Sequence, residues 1–311
     1  MVIVSQDKQG TEGKIMEIVT YINHNTKATC EENPLDIIDA AFFGTNKVIE
    51  FVDEINPKIR EDYVKALRKN LQDEVEDYQF NSEVFDLDTL KSDLTILNEY
   101  DEIAELIVQL ICKHMNPTKD YHPEQGKYEL QLFDWLKAYL LWRFYRAKSF
   151  VDVLGRKEGI VFWKKIAVKI ADYGLENSDE GPPITEVAEN WMKYGRETPD
   201  NSLMDYTVAT FDDHRVLVKF DVCGVHESLK YLNDPELTYL SYCYVGDVED
   251  ERSTKIRRRR RSQVLHLGEF CDEFFWNNEV YPDAKQPPLE FMRKLGKEDP
   301  AKIIKEYKGK V

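Results

Sequence analysis

Residues 205 to 276 hold most of the side chains that could do covalent or proton-transfer chemistry. Cys223, Cys243 and Cys271 lie there, three of the chain's five cysteines, together with His214, His226 and His266, half of its six histidines. In HRVLVKFDVC, Val216, Val218, Phe220 and Val222 alternate with Leu217, Lys219, Asp221 and Cys223. That two-residue period is the signature of a strand with one apolar and one mixed face. Cys223 is therefore expected at a strand end, beside Lys219 and Asp221, with a helix starting directly after it. The first amides of a helix favour a thiolate, and His226 is placed three residues on to move a proton. Such a pair suits covalent attack on an electrophilic carbon, or activation of a water. The alternative is a small core residue, the commoner role of a free cysteine.

On the last strand, alternation puts Cys271 with Glu273 and Phe275, and Asp272 with Phe270, Phe274 and Trp276. A carboxylate on that apolar face needs a partner, and an arginine from the neighbouring strand is the expected one. The ion pair can be structural, or Cys271 and Asp272 can join Cys223 and His226 as catalytic groups. Cys243 sits among tyrosines, a core-like setting. Cys223, His226, Cys243 and Cys271 have the donor types of a zinc site, but their spacing is irregular, and we expect no metal and no cofactor. In a strand, Arg257 to Arg261 alternate faces, so they form no single basic patch. Most should be solvated and paired with acids such as Asp247, Glu249, Asp250 and Glu251. No phosphate-binding loop, dinucleotide fingerprint, H-E-x-x-H or G-x-S-x-G is present.

Elements must hold these groups in place, and the sequence before residue 205 reads as helical. Helices are expected over 14–27, from Asn33-Pro34 as cap and first helical residue, from Pro57, after Asp86 or Asp88, and over 100–115. His24, His114 and His122 fall in this part and read as structural or surface residues. A linker is expected at 116–126, then helices over 130–155, to Gly174, and in TEVAENWMKYG. A hairpin turns at Asp212-Asp213, a helix spans about 225–232, and LTYLSYCYV is ambiguous, with helix favoured over strand. Strands are expected over 256–267 and 270–276, then a Pro-rich connector and a basic helical tail. The fold class is α+β, a helical N-terminal part followed by a small antiparallel sheet packed with helices. We expect residues 14–195 to be nearly all helical and every strand to lie between 205 and 276. The expected division is 1–120 as a helical domain and 121–311 as an α+β domain.

Acidic residues outnumber basic ones by 58 to 42, a net charge of −16, which repels phosphate backbones and anionic membranes. Neither a signal peptide nor a membrane span is expected, and five scattered cysteines suit a reducing cytoplasm. A small-molecule substrate is the expected partner, without nucleic acid or membrane. A homo-oligomer is left open.

Several segments resemble a known family. VLGRKEG (153–159), followed by an amphipathic helix, resembles a helix entry of the L-2-amino-thiazoline-4-carboxylic acid hydrolase family. VLVKFDVCGVHESLKYLNDPEL resembles its strand that ends in a cysteine before a helix, and LSYCYVGD resembles its C-x-x-D segment with one extra residue between Cys243 and Asp247. RSQVLHLGEFCDEFFW resembles its closing hairpin through Arg261, Ser262, Leu265, Gly268, Cys271, Asp272 and Phe274. Val264 stands where that pattern has threonine, and Glu273 is an additional residue. The resemblance covers about residues 150–276. It implies a hydrolase that opens a C–N or C–S bond of a cyclic amidine such as a thiazoline, with Arg261 clamping a substrate carboxylate and Cys243 on the substrate side. The alternatives are a non-enzymatic small-ligand-binding or sensory domain, and a metal-bound structural module. Cys223 is expected to alkylate fastest of the three cysteines.

Overall fold

The computed structural model describes residues 2–6, 16–78, 84–117, 121, 126–307 and 310. In chain order the elements are β1 (Val2–Gln6), β2 (Glu17–Ile22), β3 (Thr29–Glu32), α1 (Pro34–Ile55), α2 (Arg60–Val75), α3 (Leu87–Lys91), α4 (Asp101–Met115), β4 (Tyr128–Gln131), α5 (Leu132–Leu154) and α6 (Arg156–Glu176). They continue as α7 (Ile184–Glu197), β5 (Asp205–Asp212), β6 (Arg215–Val222), α8 (Gly224–Leu229), α9 (Pro235–Ser241), α10 (Cys243–Arg252), β7 (Arg257–Arg260), β8 (Cys271–Asn277), α11 (Leu289–Lys294) and α12 (Pro300–Tyr307). The α+β class holds, with helices packed on an antiparallel sheet. No helix among the described residues is long and apolar enough to cross a membrane.

The chain forms two compact units. One comprises Met1–Ala28, Gly174–Glu227 and Glu249–Val311, and the other Thr29–Tyr173 and Ser228–Val248. A single boundary near residue 120 was expected. The chain instead enters each unit more than once, because strands from its start complete the sheet built by its second half.

That sheet, in the first unit, has six strands in the order β1-β2-β5-β6-β8-β7, and every neighbouring pair is antiparallel. On one face Ile18, Leu217, Phe274 and Trp276 pack with Phe291, Leu295, Ile303 and Tyr307 of the C-terminal segment. On the other, Tyr21, Val208, Val218 and Phe275 pack with Ile184, Val187 and Ala188 of α7. Each such apolar side chain contributes about 1.5–3 kcal/mol when fully buried. Gly195 lets α7 come close, since a Cβ there would lie 2.4 Å from the Tyr21 ring.

Two expectations about strands are corrected here. Residues 17–22, expected to be helical, form β2, which pairs with β5 from Glu17↔Thr210 to Ile22↔Asp205. Four consecutive residues, Ile18 to Tyr21, are buried. A strand covered on both faces reads as a continuous apolar run, which periodicity cannot separate from a buried helix. A second ladder, β3 with β4, also lies in the region expected to be helical. The strand expected over 256–267 ends at Arg260. The reason is Asp272, whose carboxylate takes the Ser262 and Gln263 amides that a longer ladder would have used.

The second unit packs α1, α2, α4 and α5 around Ile38, Phe42, Ile49, Leu67, Ile107, Leu140 and Phe150, all nearly or fully buried. Helix α1 starts as the sequence indicates, with Pro34 in its first turn and Asn33 Oδ1 accepting from the Leu35 amide at 3.0 Å. Helix α4 closes on Asn116 at φ 48°, in the left-handed region. The LTYLSYCYV segment is helical, split between α9 and α10. Asp234 caps α9 by accepting from the Leu237 amide at 3.0 Å. The linker expected at 116–126 and His122 fall largely outside the described residues.

Candidate functional site

Strand β6 carries the first candidate. Its ladder pairs Tyr206 with Phe220 but Asp205 with Val222, so Asp221 is an extra residue. A bulge of this kind shifts the alternation by one. Cys223, expected on the face of Lys219 and Asp221, therefore packs on the opposite one, against the cluster that contains Phe220, Cys271 and Phe275. Lys219 keeps its own face and is fully buried, donating to Asp221 Oδ1 at 2.6 Å and to the Leu295 carbonyl at 2.8 Å. Burial lowers its pKa.

Cys223 is half-buried. Burial raises its thiol pKa above the ordinary value, although the His226 and Val225 amides and the Arg261 charge pull the other way. The amides are where the sequence placed them, but they do not win. At neutral pH the group is a thiol.

His226 meets His266, with the two Nδ1 atoms 3.5 Å apart and the rings edge to face. Burial, His226 and Arg261 push His266 down to about 4, so it is neutral at pH 7. Arg261 Nη2 donates to Glu273 Oε1 at 2.7 Å, and the same oxygen accepts from Arg259 Nη1 at 3.0 Å. Arg259 also reaches Asp250 at 2.6 Å, one of the pairings expected for the arginine run. The run splits between faces as alternation requires, and Arg260 lies over Trp276 at 5.2 Å.

Asp272 was expected to pair with an arginine. It is fully buried and instead grips the chain after β7. Oδ1 accepts from the Gln263 amide at 2.6 Å, the Ser262 hydroxyl at 3.0 Å and the Ser262 amide at 3.1 Å. Oδ2 accepts from Gln286 Nε2. Burial outweighs these donors and raises its pKa to about 6. Asp272 thus fixes the segment that carries Arg261, and it does so from the sheet face opposite Cys271.

The first unit therefore brings Cys223, His226, Arg261 and Glu273 into one neighbourhood, with Cys271 beneath at 8 % exposure. Cys243 belongs to the other unit. Among the described residues no three His, Cys, Asp or Glu side chains are arranged to hold a metal ion. His24 makes a bridge with Ser202, and His114 Nε2 lies 3.3 Å from Glu74 Oε1.

The sequence reading missed a cleft on the α7 side of the sheet. About 480 Å³ in volume, it is walled by Val187, Trp191 and Tyr194 of α7 with Met204 and Phe275, and Asn190 and Arg257 are its polar groups. The wall is pinned. Trp191 offers its carbonyl to the Tyr206 hydroxyl at 2.7 Å and lies edge-on to Phe220, and the Tyr194 hydroxyl is 3.1 Å from Ser202 Oγ. Arg257 also lines two adjoining clefts, one beside His214 and Thr185 and one beside Glu249 and Lys255. Its guanidinium meets the Pro182 carbonyl at 3.3 Å, and no carboxylate pairs with it among the described residues. The signal was present as Val187, Trp191 and Tyr194 at helical spacing, which marks an apolar stripe but not which part of it stays uncovered.

No family model matches the chain, and no curated protein or solved structure matches it.

Proposed function

We propose that the first unit is a non-enzymatic binding domain for a small anionic molecule with an aromatic or otherwise apolar body. The cleft beside α7 carries this reading. A ligand body buries against Trp191, Tyr194, Met204 and Phe275, worth about 25 cal/mol per Å² removed from water. Its anionic group meets Arg257, whose charge no carboxylate neutralises among the described residues, and a hydrogen bond to a charged group adds about 1.5–3 kcal/mol. Among the described residues the lining holds no cysteine, histidine, serine, aspartate or glutamate, and its one hydroxyl, that of Tyr194, is engaged with Ser202 Oγ, which favours binding over catalysis. The test uses anilinonaphthalene sulfonate, a fluorescent aromatic anion, titrated into the full chain. One saturable site is expected, weakened about tenfold or more by Arg257→Ala and again by Trp191→Ala. Absence of saturable binding, or equal affinity in both variants, overturns the reading.

A second reading is a hydrolase at Cys223 that opens a cyclic amidine such as a 2-amino-thiazoline carboxylate. Its support is the two amides and the Arg261 charge acting on the sulfur, with the resemblance over 150–276. Against it, burial keeps the thiol protonated. Attack would first require the thiol proton to move, and His226 is the acceptor this reading needs. Incubation with 2-amino-thiazoline-4-carboxylate should yield carbamoylated cysteine, and Cys223→Ser should abolish the product without changing the melting curve. No product from the wild-type chain would refute it.

A further inference from the structure

Helix α5 of the second unit contains a charge that the fold leaves unanswered. Three lysines or arginines are buried among the described residues: Lys91, Arg146 and Lys219. Lys91 is held by Asp101 and Lys219 by Asp221. Arg146 is 6 % exposed and its Nε has no partner. No hydrogen bond or ion pair ties its guanidinium to any described residue, although the chain carries 58 acidic side chains.

Its surroundings are built for it. The guanidinium lies over the Trp142 ring at 4.3 Å. Gly44 of α1 leaves the space, since a Cβ there would sit 2.8 Å from Arg146 Nη1 and 3.0 Å from the Trp142 ring. Arg143, one turn earlier on α5, stacks on Tyr139 at 3.8 Å and on Trp142 at 4.0 Å. Its one hydrogen bond goes to the Tyr139 carbonyl on its own helix. Burial, joined by repulsion from Arg143, pushes Arg146 down to about 9, still charged at neutral pH. Two further buried groups near Arg146 lack a partner, the Tyr63 hydroxyl and the Trp142 indole nitrogen. All of these groups can donate, and among the described residues only the Arg143 bond to the Tyr139 carbonyl finds an acceptor.

Aromatic faces offset part of the cost of burying a cation, but they leave the N–H positions empty. Buried polar groups in folded proteins are satisfied, and an exception calls for a missing partner. We propose that Arg143 and Arg146 form a binding site for the oxyanion group, phosphate or carboxylate, of a small molecule, with Tyr63 and Trp142 as further donors. A guanidinium fork matches both groups geometrically. The surrounding rings of Tyr139, Trp142 and Tyr242 favour a ligand with a flat body. This site is independent of the cleft beside α7.

The test is thermal melting of the full chain carrying Arg257→Ala, which removes the anion contact of the cleft beside α7, at fixed ionic strength, with chloride replaced by inorganic phosphate or by benzoate. At tenfold over the dissociation constant, the effective ion should raise the melting temperature by about 3 °C. A response to phosphate identifies a phosphorylated ligand, and a response to benzoate a carboxylate. In that background Arg146→Met should abolish the response and, in chloride, melt at or above the temperature of its parent, because an unpaired buried charge has been removed. Arg143→Met provides a second variant should the first not fold. No stabilisation by either ion, or equal stabilisation in the arginine variants of α5, overturns the proposal.

Discussion

Replacing Asp272 by asparagine isolates the one buried carboxylate that organises the chain after β7. Burial raises its pKa from the ordinary 3.8 to about 6, so the folded state takes up its proton before the unfolded state does. The sign follows from linkage. As pH falls from 7, protonation of the folded chain adds stability below about pH 6, and the gain is complete below 3.8. At about 1.4 kcal/mol per pH unit of displacement, it amounts to about 3 kcal/mol. Asparagine resembles the protonated acid. Its oxygen keeps the Ser262 and Gln263 amides, and its NH₂ needs an acceptor where Gln286 Nε2 now donates. Gln286 can supply one by turning over its amide, because its Oε1 is buried without a partner. The variant should therefore fold and match or exceed wild type at pH 7. His266 complicates the wild-type profile alone. Its pKa is lowered from 6.5 to about 4, so it favours folding above pH 6.5 and withdraws about 3 kcal/mol on the way to pH 4. The two groups nearly cancel between pH 6.5 and 4. The difference between wild type and variant removes the histidine, since both chains carry it. Urea unfolding of both chains at pH 7.5, 6, 5 and 4 should show wild type gaining on the variant by about 1.4 kcal/mol at pH 5. A constant difference across that range, or a variant that loses more than 2 kcal/mol at pH 7.5, would refute the reasoning.

Gly195→Ala should lower stability by about 1–3 kcal/mol, because the added Cβ would lie 2.4 Å from the Tyr21 ring and 2.7 Å from the Tyr206 hydroxyl. A thermal melt unchanged from wild type would show that α7 can retreat without cost. Asp234→Ala removes the cap of α9 and the Asp234–Arg156 ion pair. The expected loss is about 1–2 kcal/mol, most of it from the cap because the pair is partly exposed, and urea unfolding would measure it. Residue-resolved iodoacetamide labelling should modify Cys223 ahead of Cys271, which is 8 % exposed. It should still be slow at neutral pH, since burial holds the Cys223 thiol protonated. Labelling at the rate of an activated thiolate would revive the nucleophile.

What the sequence determined by itself was local. Asn33-Pro34 marks the start of α1, and Asp234 caps α9, because a cap is made by residues within one helical turn of each other. The β5–β6 hairpin and the two faces of β8 followed from alternation, which needs no knowledge of what lies opposite. Tertiary structure decided the rest. β2 became a strand because β5, almost two hundred residues later, was there to pair with it. One inserted residue at Asp221 moved Cys223 to the opposite face, and a bulge leaves no mark in a pattern of apolar letters. Asp272 needed a partner on any reading of its strand, but its hydrogen bonds come from Ser262, Gln263 and Gln286, while the arginine, Arg261, acts on it only through its charge. Nothing in the sequence sets Arg146 apart from the other cations of its long helix. That no anion among the described residues answers it can be seen only in the folded chain, because the absence of a charge is a property of the whole surroundings and not of any spacing in the chain.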